Sequence, residues 1–514
     1  MKNIIHFLSF LFVLSFINNI YAQNIINTLG ANGTFTIKDN TSTFFSISQL
    51  DGTITLPSSA GSQHGTIFKG SSRFLHTYYG GGTAGYNTFL GINSGNFSMG
   101  GTSWDASYNT GVGANSLSSL TSGADNSAFG GGSLNANTTG DENSAFGFAS
   151  LYYNTTGNYN SAFGRAALYT NTTGSNNSAF GHNSLYYNTS SNNSAFGKNS
   201  LYSNNTGYDN SAFGYYSLND NTTGYENSAF GNASLTNNTT GYRNSAFGNR
   251  SLENNTIGDY NTAIGYLALA INTEGNNNSA SGASSLYSNS TGNYNSAFGS
   301  YALNQNTTGN NNSAMGYYAL GNVTTGSNNI GIGNSAEVPD ATASNQIRIG
   351  DTSITYAGVQ VAWTVTSDKR WKENIQSSPL GLEFISKLNP VIYTRNNDEK
   401  QRTEFGLIAQ ELEEVLKEFN IENAGMLSID NDGYYHLRYN DLISPMIKAM
   451  QELRVKNEEL KRKNEEQIAE LTNKHHSEIA FLIERLNHSE SELNMLITKF
   501  SENEMTVKIK TASK

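Results

Sequence analysis

The middle of the chain repeats one apolar and polar pattern at a nearly constant interval. The pentapeptide Asn-Ser-Ala-Phe-Gly and its close variants recur at 14 sites, and Leu usually follows the large residue of the pentapeptide after five positions. Of the 13 steps between sites, 12 span 17 residues, and the step from Phe180 to Phe196 spans 16. The residues at these Phe sites are Val112, Phe129, Phe146, Phe163, Phe180, Phe196, Phe213, Phe230, Phe247, Ile264, Ser281, Phe298, Met315 and Ile332.

This regularity predicts a β-solenoid. Each unit holds about two apolar residues, too few for a core of its own, so neighbouring units must stack to bury them. Gly and Asn interrupt the pattern about every eight residues, which favours two short strands and two turns per coil and fits no helix. Coils that rise about 4.8 Å each give a rod of about 60 Å. We expect the Phe-site residues inside, Asn and Thr ladders along the axis, and a weak coil at Ser281.

The repeat resembles that of a known family of surface proteins. The pentapeptide, together with Asn-Thr-Ala-Ile-Gly at residues 261–265, is similar to the head repeats of trimeric autotransporter adhesins. The resemblance covers roughly residues 85–335 and implies parallel β-rolls with three chains per fibre. The period is longer than in the adhesin heads, which leaves the shape of the coil open. A disordered Asn- and Gly-rich tract is the alternative, but disorder gives Phe and Leu no reason to keep a fixed phase.

The first residues have a different character. Residues 1–22 contain Lys2, an apolar run and a small residue, Ala22, which is the layout of a secretory signal peptide. We therefore expect a secreted or surface protein with no membrane span once this segment is removed. Residues 23–84 are rich in Thr, Ser, Ile and Phe with Gly turns, which predicts a β-rich cap on the first coil.

Composition narrows the range of functions. The chain has no Cys, so it forms no disulfide and has no thiolate chemistry. The net charge is −11 and no basic patch appears along the sequence, which argues against nucleic acid as a partner. Neither a His cluster nor the Asp-containing repeat of calcium-binding β-rolls occurs, so we predict no metal and no cofactor. From Ser367 to the end the chain holds 47 of its 71 charged residues, and we expect a domain boundary there.

The segment after this boundary carries a motif. Thr366 precedes Ser-Asp-Lys-Arg-Trp-Lys, which runs from Ser367 to Lys372. Three further stretches contribute to the resemblance described next, and they are residues 388–393, 405–412 and 439–443. Over about residues 360–455 the chain resembles the intramolecular chaperone domain of phage tailspike endosialidases, the S74 peptidase family. The resemblance implies that Ser367 attacks the Thr366–Ser367 peptide bond and that Lys372 takes the proton of its hydroxyl.

Such a pair needs a particular geometry. A Ser hydroxyl is a weak nucleophile until a base accepts its proton, and Lys serves as that base only when burial lowers its pKa, for which Trp371 is a candidate. Residues five apart face different sides of a helix and lie roughly 17 Å apart on a strand. Either a turn between Asp368 and Trp371 folds Lys372 back, or the Lys comes from a neighbouring subunit. The alternative interpretation is that Ser367 and Asp368 only cap a short helix, with Lys372 in solvent.

The end of the chain predicts a coiled coil. From Asp441 onward the sequence is highly charged, and apolar residues recur at spacings of three and four. These seam residues are Ile443, Met446, Met450, Leu453 and Leu460, then Ile479, Leu482, Leu486, Leu493, Leu496 and Phe500. Asn457 and Asn464 fall at seam positions, where a buried Asn fixes register and strand number. The predicted divisions are a β connector at 336–366, including strand-like residues 345–350 and 359–363, the chaperone domain at 367–440 and the coiled coil at 441–505.

The whole chain therefore predicts a mainly β fold with a small α+β domain and a helical coiled coil. We expect an adhesin-like homotrimeric fibre whose C-terminal chaperone cuts itself. A row of Tyr at about 5 Å spacing is a candidate strip for binding a surface glycan or another cell-surface ligand. Its members, which follow Leu on four successive coils, are Tyr152, Tyr169, Tyr186 and Tyr202. The alternative function is a glycan-binding or glycan-degrading spike, but degradation needs two placed carboxylates, and Asp and Glu keep no fixed phase in the repeats.

Overall fold

The computed structural model describes residues 66–78 and 85–511, apart from positions 103, 362, 397 and 431–432, together with the backbone of four earlier strands. The predicted signal peptide, residues 1–22, lies outside the described residues. The chain divides into two compact units, Met1–Ile354 and Thr355–Lys514.

The first unit begins with antiparallel strands. Strands β1 to β4 pair in chain order and are Ile25–Thr28, Thr34–Lys38, Thr43–Ser48 and Ile54–Thr55. Strands β5 and β6, Ile67–Lys69 and Ser72–His76, form a hairpin, and β6 pairs antiparallel with β7, Thr88–Leu90. From β7 onward every pairing in this unit is parallel, so β7 is the first strand of the repeat ladder.

The repeats form the predicted β-solenoid. Each coil contributes one strand of three residues, and each strand pairs in register with the strands of the neighbouring coils, so that Ala145 lies opposite Ala128 and Ala162. Strands β8 to β22 are Thr110–Val112, Ser127–Phe129, Ser144–Phe146, Ser161–Phe163, Ser178–Phe180, Ser194–Phe196, Ser211–Phe213, Ser228–Phe230, Ser245–Phe247, Thr262–Ile264, Ser279–Ser281, Ser296–Phe298, Ser313–Met315, Ile330–Ile332 and Ile347–Ile349.

The prediction that the Phe-site residues lie inside the solenoid is wrong. The central Ala of each strand, such as Ala145, and the Leu after the strand, such as Leu151, are fully buried, whereas Phe129 is 37% and Phe298 47% exposed. Side chains alternate along a strand, so an inward Ala forces its Ser and Phe neighbours outward. The Phe rings instead stack on one another along the surface, with centroids 4.6–4.9 Å apart and planes within 4–7° from Phe129 to Phe247.

The role predicted for Ser281 changes for the same reason. On its coil the core residues Ala280 and Leu286 remain buried, so no apolar plug is missing. Ser281 interrupts the outer row of stacked rings rather than the core. The fold therefore accepts a small polar residue at a Phe site.

The prediction of two strands per coil is also wrong, since each coil has one. Leu134 and its equivalents adopt a left-handed backbone conformation, with φ close to +50°, which ends any extended segment. That conformation costs an L-residue about 1–2 kcal/mol. It persists because it brings the Leu side chain into the core while the backbone still bonds to the next coil, as where Leu134 N donates to Ser150 O at 3.0 Å.

Two columns of buried Asn form the predicted ladders. In the first column Asn126 Oδ1 accepts bonds from the backbone N and the Nδ2 of Asn143, at 3.0 and 3.1 Å, and Asn143 Nδ2 also donates to Gly157 O at 2.8 Å. In the second column Asn154 Nδ2 donates to Asn137 Oδ1 at 2.8 Å. Each amide is satisfied inside the solenoid, which is what a buried polar group requires.

Of two neighbouring glycines, Gly130 and Gly131, the coil requires the first and can replace the second. Gly130 has a φ of +137°, and a Cβ added there would collide with the carbonyl of Gly147 in the next coil. A Cβ on Gly131 would make ordinary contact with the Phe148 ring at 3.4 Å. We expect Gly130→Ala to lower the free energy of unfolding by about 3 kcal/mol, and Gly131→Ala to change it by less than about 0.5 kcal/mol. Denaturation followed by circular dichroism compares the two variants, and equal losses would contradict this account of the coil.

The second unit contains the predicted α+β domain and the long C-terminal helix. Its elements in order are a 3-10 turn at Lys369–Trp371, α1 at Leu382–Lys387, β23 at Val391–Tyr393, β24 at Glu404–Gly406, α2 at Ala409–Glu418, β25 at Leu427–Ile429, β26 at Tyr435–Leu437, a 3-10 turn at Tyr439–Leu442 and α3 at Ile443–Thr511. Strands β23 and β24 pair antiparallel, as do β25 and β26. The core of the domain consists of Leu380, Phe384, Leu412, Leu416, Met426 and Leu442.

Helix α3, of 69 residues, is anchored to this domain at its start and exposed from Met450 to Ile509. Glu452 accepts a hydrogen bond from Leu382 N, the first residue of α1, at 2.7 Å, and Lys448 donates to the carbonyl of Ser378. Of the two segments predicted as strand-like, residues 345–350 contain β22, whereas the described residues 359–361 and 363 belong to no strand.

Candidate active site at Ser367 and Lys372

A single 3-10 turn shapes the predicted catalytic segment. Asp368 caps the turn by accepting a hydrogen bond from Arg370 N at 2.8 Å. The backbone N of Trp371 and that of Lys372 donate to the carbonyls of Asp368 and Lys369, both at 3.1 Å. Lys372 itself is extended, with φ −124° and ψ 132°, so the chain leaves the turn at this residue. One 3-10 turn between the extended residues Asp368 and Lys372 lets side chains five positions apart approach each other.

The turn brings the two predicted residues together. Lys372 Nζ donates a hydrogen bond to Ser367 Oγ at 2.7 Å, within one chain. Of the two arrangements that the spacing left open, the turn is therefore the one observed, and the geometry needs no Lys from a neighbouring subunit. The alternative of a capped short helix holds in part, because Asp368 caps the turn, but the turn ends at Trp371 and Lys372 has Ser367 as its partner.

An ion pair between Asp368 and Arg370 lies next to Ser367 and Lys372 in the chain. Arg370 contacts the Asp368 carboxylate at 2.7 Å. The hydrogen bonds from the Arg370 side chain and backbone lower the pKa of Asp368, so this carboxylate is ionised at neutral pH and occupied by Arg370. Arg370 is therefore the partner of this carboxylate, and Ser367 is the partner of Lys372.

Solvent reaches every member of the site in the single chain. Thr366, Ser367 and Lys372 are exposed. Trp371, the candidate for burying Lys372, is 82% exposed, so the expected desolvation is absent. The preceding segment is also apolar and exposed at Val365. The pair therefore has the geometry of a nucleophile and base, but in the single chain it lacks the dry surroundings in which a Lys acts as a base.

The predicted Tyr row is present on the surface of the solenoid. Its four rings lie at centroid distances of 4.9–5.4 Å with planes 15–25° apart, and they are partly buried. Tyr153 and Tyr187 pack edge-on against this row. Sequence reasoning missed three basic residues on the same coils, Arg165, His182 and Lys198. The feature of the sequence that could have identified them is their shared position in the repeat, two residues after a Phe site, since they form no run of charge.

Comparison with known proteins identifies the C-terminal part alone. No curated protein and no solved structure gives a significant match to the chain. Across the part of the chain that the structure describes, no helix combines the length and apolar character needed to cross a membrane. One family model matches, and its first residue is Ser367. Residues 367–421 match the peptidase S74 family, the chaperone of endosialidase.

Proposed function

We propose that this chain is an extracellular or phage-associated fibre whose C-terminal domain guides its assembly and then cuts itself off. The observation that carries this proposal is the 2.7 Å hydrogen bond from Lys372 to Ser367 at the first residue of the family match. A chaperone needed only for folding has no further use once the solenoid has formed. A nucleophile placed at the boundary between the two offers a way to remove it.

The cut that we propose is an acyl shift followed by hydrolysis. Ser367 Oγ attacks the carbonyl carbon of Thr366 while Lys372 accepts the hydroxyl proton. The amide nitrogen of Ser367 then takes a proton and leaves, so that the Thr366 acyl group is held as an ester on Oγ. Water hydrolyses this ester and yields a carboxylate at Thr366 and a free α-amine at Ser367.

Assembly into a homotrimer is the second part of the proposal. In the single chain the seam residues of α3, from Ile443 to Phe500, are exposed, and the Phe rings of the outer row are partly exposed. Surfaces of this kind mark association sites, and a seam with three- and four-residue spacing is the pattern of a coiled coil. Association would also cover Trp371 and Val365, which removes water from Lys372 and lowers its affinity for a proton. Cleavage at Ser367 would then follow assembly of the homotrimer.

Holding chains in register supports folding of the solenoid for a physical reason. Its strands pair in parallel across 16 or 17 residues, and each coil is stable only against its neighbours. Parallel pairing is slow and leaves strand edges exposed to aggregation while it proceeds. A C-terminal domain that aligns the chains limits that exposure. Export through the predicted signal peptide belongs to the same proposal.

A glycan-binding surface is the second candidate function, favoured by the stacked Tyr row. The glycan-degrading version has less support, since no acidic pair recurs from coil to coil: Asp125, Glu142, Asp209 and Glu226 lie four residues before a Phe site, and the other Asp and Glu residues of the coils lie at other positions of the unit. Binding and self-cleavage involve different units of the chain and can both hold.

Intact mass spectrometry of the assembled protein tests the proposed cut. We expect two species, one that ends at Thr366 and one that spans Ser367–Lys514 with a free N-terminal amine. Size-exclusion chromatography with light scattering on the same sample establishes that the chains are assembled. A single uncut chain in an assembled sample would overturn the proposed self-cleavage and leave Ser367 a structural role.

A further inference from the structure

Three basic residues occupy one position on three successive coils. They lie two residues after a Phe site, and they are Arg165, His182 and Lys198. The same position on the other coils from 112 to 332 holds uncharged residues, Ala114, Gly131, Phe148, Tyr215, Asn232, Asn249, Tyr266, Ala283, Ser300, Tyr317 and Asn334. The three coils with a basic residue also carry Tyr169, Tyr186 and Tyr202 of the Tyr row.

The basic residues and the Tyr row form one surface. Burial and the neighbouring phenols Tyr187 and Tyr153 raise the pKa of Tyr186, and the positive charge of Arg165 opposes that rise, which places Arg165 within electrostatic reach of the ring. Lys198 Nζ lies 5.8 Å from the centroid of the Tyr215 ring, which holds the position of the basic residues on the next coil. A Cβ on Gly132, the residue after this position on the coil of Phe129, would lie 3.1 Å from the ring of Tyr152 on the following coil, so the two rows are neighbours. We name this surface the basic-aromatic face and define it as Arg165, His182 and Lys198 with Tyr152, Tyr169, Tyr186 and Tyr202.

The cations of this face have no anionic partner in the described part of the chain. Residues 85–335 contain four Lys and Arg residues against ten Asp and Glu residues. Arg243 pairs with Glu226 at 2.7 Å and Arg250 with Glu253 at 2.8 Å. Within the described residues Arg165 and Lys198 form no ion pair, although acidic residues outnumber them. Unneutralised cations gathered on one face of an acidic surface attract an anion from outside.

The arrangement of the Tyr rings decides the class of that anion. Because the rings stack on each other at 4.9–5.4 Å, their faces are covered by the neighbouring rings of the row. Binding of single-stranded nucleic acid needs free aromatic faces for the bases and a longer track of cations for the phosphates. A phenol hydroxyl both donates and accepts hydrogen bonds, which suits the hydroxyls of sugars. Both rows repeat once per coil, and this periodicity suits a polymer of sugar rings better than a single small anion.

We propose that the basic-aromatic face binds an anionic polysaccharide that lies along the solenoid axis. Arg165, His182 and Lys198 contact its carboxylate or sulfate groups, and the Tyr hydroxyls contact its sugar hydroxyls. This inference deepens the glycan-binding candidate above and rests on the fibre part of the proposed function. It does not depend on cleavage at Ser367, so mass spectrometry and glycan binding can fail separately.

Binding of the full-length protein to immobilised polysaccharides tests the inference. The probes are polygalacturonate, which carries carboxylates, dextran sulfate, which carries sulfates, and neutral dextran. We expect binding to one or both anionic probes and not to neutral dextran, and we expect added salt to weaken it because the contacts are exposed charges. The two anionic probes distinguish a carboxylate from a sulfate ligand. Binding to neutral dextran as strong as to both anionic probes, or to none of the three, would overturn the proposal.

The repeat itself supplies substitutions that the coil accepts. Asn occupies the position of the basic residues on other coils, as at Asn232, and it also occupies the Tyr position, as at Asn219. The double variant Arg165→Asn and Lys198→Asn should weaken binding by about tenfold or more, since it removes the Arg and the Lys of the face. The triple variant Tyr169→Asn, Tyr186→Asn and Tyr202→Asn should do the same while leaving the thermal unfolding temperature within a few degrees, about the range of a surface change.

A second stacked row on the same solenoid gives the matched control. Tyr208, Tyr225 and Tyr242 stack at 4.8–5.0 Å, and Arg243 beside them is paired with Glu226. Replacing these three Tyr residues by Asn, or Arg243 by Asn, should leave polysaccharide binding unchanged. If the control variants lose as much binding as the variants of the basic-aromatic face, or if a single-stranded oligonucleotide binds more tightly than either anionic polysaccharide, the proposal is wrong.

Discussion

Replacing Ser367 by Ala is expected to leave the chain uncut and still assembled. The change removes the only side-chain atom that forms a bond to Thr366 in the proposed mechanism, so the rate of cleavage should fall by about a thousandfold or more. Lys372→Ala should have an effect of the same size, because Ser367 then lacks its hydrogen-bond partner at 2.7 Å. Denaturing electrophoresis and intact mass report the cut, and light scattering reports the assembly.

Lys369→Ala is the control for these two variants. Lys369 lies in the same 3-10 turn and is equally exposed, but its side chain is not the partner of Ser367. Its replacement should preserve both the turn and the cut, since Asp368 still caps the turn through Arg370. If Ser367→Ala is cut at the same bond as the natural sequence, the proposed nucleophile is wrong. If only Lys372→Ala remains cut, the base is a different group.

The solenoid shows how far a sequence period determines structure. The constant 17-residue step predicted stacked coils with one register, because residues that recur in phase must face their equivalents on the next coil. The side on which each residue lies was harder to predict. Phe is the largest apolar residue of the unit, yet side chains alternate along the strand, so that an inward Ala145 turns Phe146 outward. The narrow interior takes Ala, Leu and Asn, and stacking between rings compensates for leaving Phe outside.

For the candidate site, Ser367 and Lys372 could be named from the sequence, but their arrangement could be seen only in the structure. The five-residue spacing excluded a regular helix or strand but left two arrangements open. The cap that Asp368 forms with Arg370 selects the turn, and that contact depends on side-chain geometry rather than on any period. The exposure of Trp371 was equally unpredictable, since an aromatic residue beside a catalytic motif is as compatible with burial between chains as with burial within one.

Changing Leu482 and Leu486 to Gln is expected to reduce both assembly and cleavage. Both residues lie on the seam of α3 and are 59% and 69% exposed in the single chain. Burial of a Leu side chain contributes about 1.5–3 kcal/mol, so a trimer that buries two per chain loses a large part of its free energy of association. Gln has a high helix propensity, so the helix itself should persist. Light scattering measures the association, and denaturing electrophoresis of the same sample measures the cut.

Glu484 and Ser491 provide the control on the opposite side of the helix. Each lies five residues after a seam position, where the period of the α-helix turns the side chain away from the partner helices. Replacing both by Gln should leave association and cleavage as they are. The combined measurement also separates the two halves of the proposal. A Leu482 and Leu486 variant that is monomeric and still cut would show that the Ser367 and Lys372 pair works without assembly. A variant that stays trimeric would show that the chains are joined elsewhere, for which the outer Phe row is then the candidate surface.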